Sequence, residues 1–487
     1  MCNKGLGVCV IIYMKSLRTI IIFFAAIVGL ALTSCIEDDF TTSSSDVLEF
    51  STDTLAFDTV LTEEGTATRR FMVYNRHKKM LNISSITIDG NPQVKFYLNV
   101  DGVSGESFGN VEIRGEDSIF VFVEAFIDPT GNDLPVELED KIRFVTNGVE
   151  QQVVLTAWGQ DVTRLHSPVI DTDTRWSGLK PYLIYDTLRV AECATLTLDA
   201  GTTLMFHDKA AMVVDGTLIA AGEQGREINL RGDRLDNVVG GNDYDIMSGQ
   251  WDGIRFTATS MGNEMRYVNM RGSSSGVVVD SAGIEHRKLY LLNSVLHNAS
   301  TSVLTSSHAW IDAAGCEFSD AAAAVVSLTG GRAQFVQCTF ANYYLFDVIT
   351  GSILSLNYLM PDDSDGRSPL MEGTFDNCIF YGNASEISPG DLTGSAVMVR
   401  NCLFGADGSD DNNFLHCVWG GDPLFYTIRE EYIFDYRLKD ESDAIGMGDP
   451  LLCPPEAETD RYGLNRLERG NIDIGAYTWQ PTETGEQ

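Results

Sequence analysis

Four cysteines stand at one position of a recurring segment, and thiols in a row raise metal or redox chemistry first. They are Cys316, Cys338, Cys378 and Cys402, and Ser294 fills the same slot one repeat earlier. Neighbouring strands lie about 4.8 Å apart with parallel Cβ vectors, a geometry that suits a packed column better than a disulfide. Downstream of residue 35 the cysteines are Cys193, Cys316, Cys338, Cys378, Cys402, Cys417 and Cys453, odd in number and without CxxC spacing. That is neither a disulfide framework nor a zinc site.

Calcium is the one cofactor the chain suggests; no other is expected. Asp363, Asp365, Gly366 and Glu372 match positions 3, 5, 6 and 12 of an EF-hand loop, with Pro361 where the first ligand should stand. The acidic run Asp407-Gly408-Ser409-Asp410-Asp411 is a similar loop, and Arg231-Gly232-Asp233 spells an adhesion tripeptide. Glycan chemistry makes other demands. Hydrolysis needs paired carboxylates, and a lyase needs a basic residue with cations to hold the enolate. From Arg271 to Arg400 the one basic cluster is Glu285-His286-Arg287-Lys288, and no Lys or Arg falls between Lys288 and Arg332. A continuous basic groove for polyuronates is therefore not expected. Aromatics near turns, namely Tyr343, Tyr344, Tyr358 and Trp419, are the candidates for stacking on sugar rings.

The elements that position these residues follow from an internal repeat. Segments beginning at Leu289, Trp310, Ala333, Gly373 and Val397 align on Ser294, Cys316, Cys338, Cys378 and Cys402. The steps are 22, 22, 40 and 24 residues, so about 18 residues loop out between Cys338 and Cys378. Short period-two strands without helical periodicity predict one coil of a parallel β-helix per repeat. Leu296, Phe318, Phe340, Phe380 and Phe404 should form an interior ladder. Asn298, Asp320 and Asn342 should take turn positions. Leucine-rich repeats have similar spacing, but their asparagine-bearing leucine consensus is absent.

Residues 47–161 read differently. Alternating runs such as Ile119-Phe120-Val121-Phe122-Val123 between Asp89-Gly90, Asp101-Gly102 and Asn147-Gly148 predict an Ig-like β-sandwich, without the Cys–Trp–Cys of antibody domains. The expected order is a signal at 1–35, a tether at 36–46, the sandwich at 47–161 and a connector at 162–185. A right-handed parallel β-helix at 186–425 and a β-helix cap at 426–487 follow.

The apolar run Ile20–Leu32, with Lys15 and Arg18 before it and Thr33-Ser34-Cys35 after it, reads as a secretory signal starting at Met14. Leu-Thr-Ser-Cys resembles the lipobox of bacterial lipoproteins, which implies lipidation of Cys35. The acidic Glu37-Asp38-Asp39 beside it is similar to the surface-export signal of Bacteroidetes lipoproteins. Leu196–Thr202, Val213–Leu218 and Gln250–Phe256 resemble coils of pectin-lyase-like β-helix proteins, and Asp473-Ile474-Gly475-Ala476-Tyr477 the closing segment of Bacteroidetes β-helix lipoproteins. Asn-x-Asp, part of the galacturonase pattern, occurs only at Asn99–Asp101 and Asn471–Asp473, and Gly-His-Gly is absent.

The resemblance implies an outer-membrane, lipid-anchored protein facing outward, with the membrane and an extracellular polysaccharide as partners. A net charge of −35 argues against nucleic acid. The expectation is a non-enzymatic binder of an extracellular glycan or envelope component. A polysaccharide lyase or glycoside hydrolase is the alternative, and a spacer or adhesin the second.

Overall fold

The computed structural model describes residues 39–238, 242–357, 369–388 and 394–481. The chain divides into two compact units. The first comprises Met1–Phe57, Ala67–Phe126 and Leu138–Ala157, and the second Asp58–Thr66, Ile127–Glu137 and Trp158–Gln487.

The first unit is a β-sandwich. Strict alternation in Ser118–Ile127 buries Ile119, Val121, Val123 and Ala125 on one side of the strand. That strand pairs antiparallel with Arg69–Tyr74 in a five-stranded sheet. Val136–Thr146 pairs antiparallel with Leu81–Ile88 in a six-stranded sheet. Phe50 and Phe71 of one sheet pack on Phe144 of the other at 4.9 and 6.3 Å between ring centroids.

The second unit winds as a parallel β-helix. Each coil except the last ones contributes one strand to each of three sheets, of eleven, nine and ten strands, and strand order within each sheet follows the chain. The first sheet runs from Thr163–His166 to Val418–Trp419. Winding thus begins inside residues 162–185, expected as a connector: Thr163–His166, Val169–Ile170 and Thr174–Trp176 already lie one in each sheet. That coil carries no cysteine-column motif, which is why the repeat did not reveal it.

The predicted ladder is a stack of rings. Register pairs Leu296 with Phe318, then Phe340, Phe380, Phe404 and Trp419 in turn. Successive ring centroids from Phe318 onward are 5.2, 4.7, 5.3 and 4.7 Å apart. A second stack, Phe335 on Phe375 at 5.4 Å, meets the first edge-on, an arrangement aromatic quadrupoles favour.

The cysteine column lines the same interior. Cys316, Cys338, Cys378 and Cys402 are buried free thiols. Each Sγ donates to the carbonyl two residues earlier, at 3.3, 3.3, 3.2 and 3.3 Å. Ser294 Oγ makes the same bond to Leu292 at 2.9 Å. The slot selects a small side chain with one donor, so serine and cysteine interchange. Cys417 extends the column after a coil of only 15 residues. The residue before each column member (Asn293, Gly315, Gln337, Asn377, Asn401, His416) has positive φ, turning the chain from the third sheet into the first. Asn298 and Asp320 are also left-handed, at φ 63° and 61°, whereas Asn342 is not.

The C-terminal segment differs from the expected cap. Phe425, Tyr436, Leu438, Ile474, Ala476 and Tyr477 cluster with Ala341, Tyr343, Ile379 and Leu403. Ala341, Ile379 and Leu403 neighbour ladder residues and so point outward. The segment therefore lies along the outer face of the first sheet, where those coils present apolar residues. Buried Arg466 ties the segment's own turns together, donating to Ala457 O, Gly475 O and Ala476 O at 2.9, 3.2 and 2.7 Å, while Ala476 N donates to Thr339 Oγ1 of the sheet at 2.9 Å.

Candidate functional site: a polar cleft on the outer face

Residues flanking the ladder by one face outward, so the register that stacks Leu296 on Phe318 also builds two outer columns. One runs Asn229, Asn269, Val295, Glu317, and the other Arg271, His297, Ser319. On these coils the outward residues are mostly polar, and the C-terminal segment leaves a cleft of about 510 Å³ above them. The turn carrying Asp243 and Asp245, together with Tyr432, Asp435, Arg461 and Tyr462, forms part of the remaining lining, with Ile433 and Phe434 among its apolar members.

Glu317 is the buried carboxyl of this cleft, 7% exposed. Tyr477 donates its hydroxyl to one oxygen and Ser319 Oγ to the other at 2.7 Å. Burial pushes the carboxyl above its ordinary range, partly offset by the Tyr477 hydroxyl and by His297. His297 Nδ1 lies 3.0 Å from Ser319 Oγ and 3.2 Å from Asp320 Oδ2. Asp320 in turn accepts from Tyr436 OH at 2.6 Å and Tyr343 N at 2.7 Å. One polar network thus joins the sheet to the C-terminal segment, from Tyr477 to Tyr436.

Guanidinium groups sit among the acids. Arg231 pairs with Asp245 at 2.7 Å, Arg271 lies 3.9 Å from the same carboxylate, and Arg461 donates to Asn269 Oδ1 at 2.6 Å. Tyr432 and Tyr462 are 44% and 50% exposed, so aromatic surface borders the polar groups. Tyr432 holds φ at 59°, a left-handed backbone unfavourable for a bulky residue; such strain concentrates at functional sites.

The sugar platforms expected from sequence lie elsewhere. Tyr343 and Tyr344 are buried, at 6% and 7% exposure, and are corrected from platforms to packing residues. Tyr343 lies against Tyr436, and Tyr344 OH meets Ser248 Oγ at 2.6 Å. Trp419 is the last rung of the interior stack, yet it is only half-buried and lines a separate pocket of about 640 Å³ with Phe404 and Phe414, its Nε1 donating to Asp410 at 3.1 Å. Tyr358, Asp363, Asp365 and Cys35 lie outside the described residues. Glu372, the remaining calcium candidate, is occupied: it pairs with Arg332 and accepts from Gln334 Nε2 at 2.7 Å. Asp410 and Asp411 cap their own loop through His416 N, Cys417 N, Asn413 N and Phe414 N. Among the described residues, no group of His, Cys, Asp and Glu is arranged to hold a metal ion.

The basic cluster is also structural. Lys288 is buried, and its Nζ donates to Thr257 O and Asp280 O at 2.6 and 2.9 Å. Arg287 pairs with Asp312 at 3.2 Å. In the adhesion tripeptide Arg231 is held by Asp245, and Asp233 faces His207 at 2.6 Å. Sequence reasoning missed Glu317, His297, Arg271, Tyr432 and Tyr462. The first three were within reach, because each stands one residue from the interior line of its strand.

No protein-family model matches the chain, and no curated protein matches it. Among solved structures, a protein of unknown function from Porphyromonas gingivalis W83 aligns at 15% identity with a TM-score of 0.18. That match covers 26% of this chain, which spans 50% of the other. The catalytic unit of a thermostable GH87 alpha-1,3-glucanase from Streptomyces thermodiastaticus strain HF3-3 aligns at 9% identity with a TM-score of 0.14. It covers 72% of this chain and 88% of that one. Scores this low carry nothing about function; the β-helix rests on the strand register described above.

Proposed function

We propose that this is a lipid-anchored envelope protein, displayed outward, whose β-helix binds an extracellular glycan in the outer-face cleft. The observation that carries the glycan reading is the pair of exposed rings, Tyr432 and Tyr462, beside carboxylates and guanidiniums in one concave site. Rings stack on the apolar faces of sugars, while the charged groups exchange hydrogen bonds with hydroxyls. The net charge of −35 favours an uncharged glycan over a polyuronate. Tyr432→Ala and Tyr462→Ala should each weaken binding on a neutral-glycan panel about tenfold, equivalent to about 1.4 kcal/mol. Unchanged affinity in both variants would remove the cleft from the proposal.

The anchoring half rests on the lipobox-like run ending at Cys35. Acyl chains on that cysteine would supply the multiple signals stable anchoring requires. Cys35→Ala should move the protein out of the membrane fraction or stall its processing. Fractionation with the outer membrane as before would show that the anchor lies elsewhere.

A further inference from the structure

We infer that the cleft hydrolyses the glycan it holds, with Glu317 protonating the glycosidic oxygen and Asp245 taking the proton of an attacking water. The inference rests on the glycan reading above and adds a reaction to it. Its basis is that, of the four carboxyls lining the cleft (Asp243, Asp245, Glu317 and Asp435), Glu317 and Asp245 stand in the most sharply contrasting surroundings. Glu317 sits desolvated on the sheet, each oxygen held by a hydroxyl, from Tyr477 and from Ser319. Asp245 is on a turn and pairs with Arg231 at 2.7 Å, with Arg271 at 3.9 Å. A desolvated carboxyl on the sheet suits a proton donor, and an ion-paired carboxylate on a turn suits a proton acceptor. Burial favours the protonated form of Glu317, as a proton donor requires.

The step balances with water as the only co-reactant. The bond between the anomeric carbon and the bridging oxygen breaks, its electron pair stays on that oxygen, and the Glu317 proton joins it. Water's oxygen bonds to the anomeric carbon and passes one proton to Asp245. Proton exchange with solvent then restores both carboxyls. Ser319 and His297 are positioning residues, since they orient Glu317 and the neighbouring Asp320 rather than the sugar.

The test uses the detergent-solubilised full chain and the neutral oligosaccharides it binds, incubated in ¹⁸O-water and read by mass spectrometry. The wild type should generate new reducing ends carrying one ¹⁸O. Glu317→Gln should lower cleavage by about 10²–10⁴-fold while binding persists. It should lose much less on the nitrophenyl glycoside of the same sugar, whose leaving group departs without a proton. Asp245→Asn should slow both substrates, and lies on a turn where misfolding is less of a concern than at Glu317. A wild type that binds but releases no reducing ends overturns hydrolysis and leaves the binding proposal standing. Glu317→Gln cleaving the natural glycan at the wild-type rate overturns the acid assignment. Absence of binding across the panel fails the glycan reading, and hydrolysis with it.

Discussion

The two sides of the first parallel sheet obey different rules although they alternate along the same strands. Inward, the residues repeat from coil to coil: Leu296, Phe318, Phe340, Phe380 and Phe404 in one column, Ser294 and four cysteines in another. Outward, Asn269, Val295, Glu317, Thr339 and Ile379 follow one another with no chemistry in common. An interior rung must match the rung above and below it, because stacked coils leave no other partner. An outer residue answers to whatever covers it. Late in the helix that cover is the C-terminal segment, and the outer residues are apolar. Over the middle coils the cleft lies open, and they are mostly polar. Inner residues hold the fold, whereas outer residues are free to differ from coil to coil.

The largest expected effect tests the inner side. Phe340 stacks between Phe318 and Phe380 and meets Phe335 and Phe375 on the facing wall. Phe340→Ala should cost about 3–5 kcal/mol, the usual range for removing a ring from a packed core. The loss should appear as a markedly lower unfolding midpoint, whereas Tyr432→Ala should alter binding with little change in that midpoint. Equal destabilisation by the two would erase the distinction between inner and outer roles.

The same contrast explains what could be read from the chain. The β-helix was legible because stacking forces recurrence: spacings of 22 and 24 residues and a phenylalanine two after each of Cys316, Cys338, Cys378 and Cys402 are traces of that constraint. The short last coil hid two members, since Cys417 and Trp419 follow Cys402 and Phe404 by only 15 residues. The spacing alone therefore does not show Trp419 as the last rung of the stack. The cleft left no spacing rule at all. Its bonds join Glu317 to Tyr477 across 160 residues and Asn269 to Arg461 across 192. Tyr343 and Tyr344 were misread for the same reason, because nothing local announces the segment packed over Tyr343.

An intermediate effect concerns Lys288, a charged group on the wrong side of this division. Burial without a carboxylate partner depresses its ammonium from 10.5 to about 8, with Asp280 opposing weakly. The sign follows from proton counting. Below pH 8 both folded and unfolded states carry the proton, and the native state bears the full penalty of a buried charge. Between pH 8 and 10.5 the native state holds fewer protons than the unfolded one, so stability rises with pH. Relative to Lys288→Met, which cancels other titrations, the wild type should gain about 2 kcal/mol between pH 7 and 9.5. Denaturant midpoints of the two proteins at both pH values measure this, and a constant difference would mean the ammonium is solvated.

The smallest expected effect is the sharpest test of register, because it compares adjacent residues. Val295 faces the cleft between Asn269 and Glu317, while Leu296, 1% exposed, faces the core beneath Phe318. In the outer column Asn269 Nδ2 already donates to Asn229 Oδ1 at 3.1 Å. Asparagine at 295 would extend that ladder by one rung and find solvent for whatever it cannot bond. Val295→Asn should therefore change stability by less than about 1 kcal/mol, the span of strand propensity at exposed positions. Leu296→Asn would strand an amide between Met270 and Phe318 and should cost several kcal/mol through lost packing and an unmet hydrogen-bonding group. Thermal midpoints of the pair decide the matter. Similar losses would mean that side chains do not alternate here as described, and with that alternation the placement of Glu317 and His297 on the outer face of the sheet would fall.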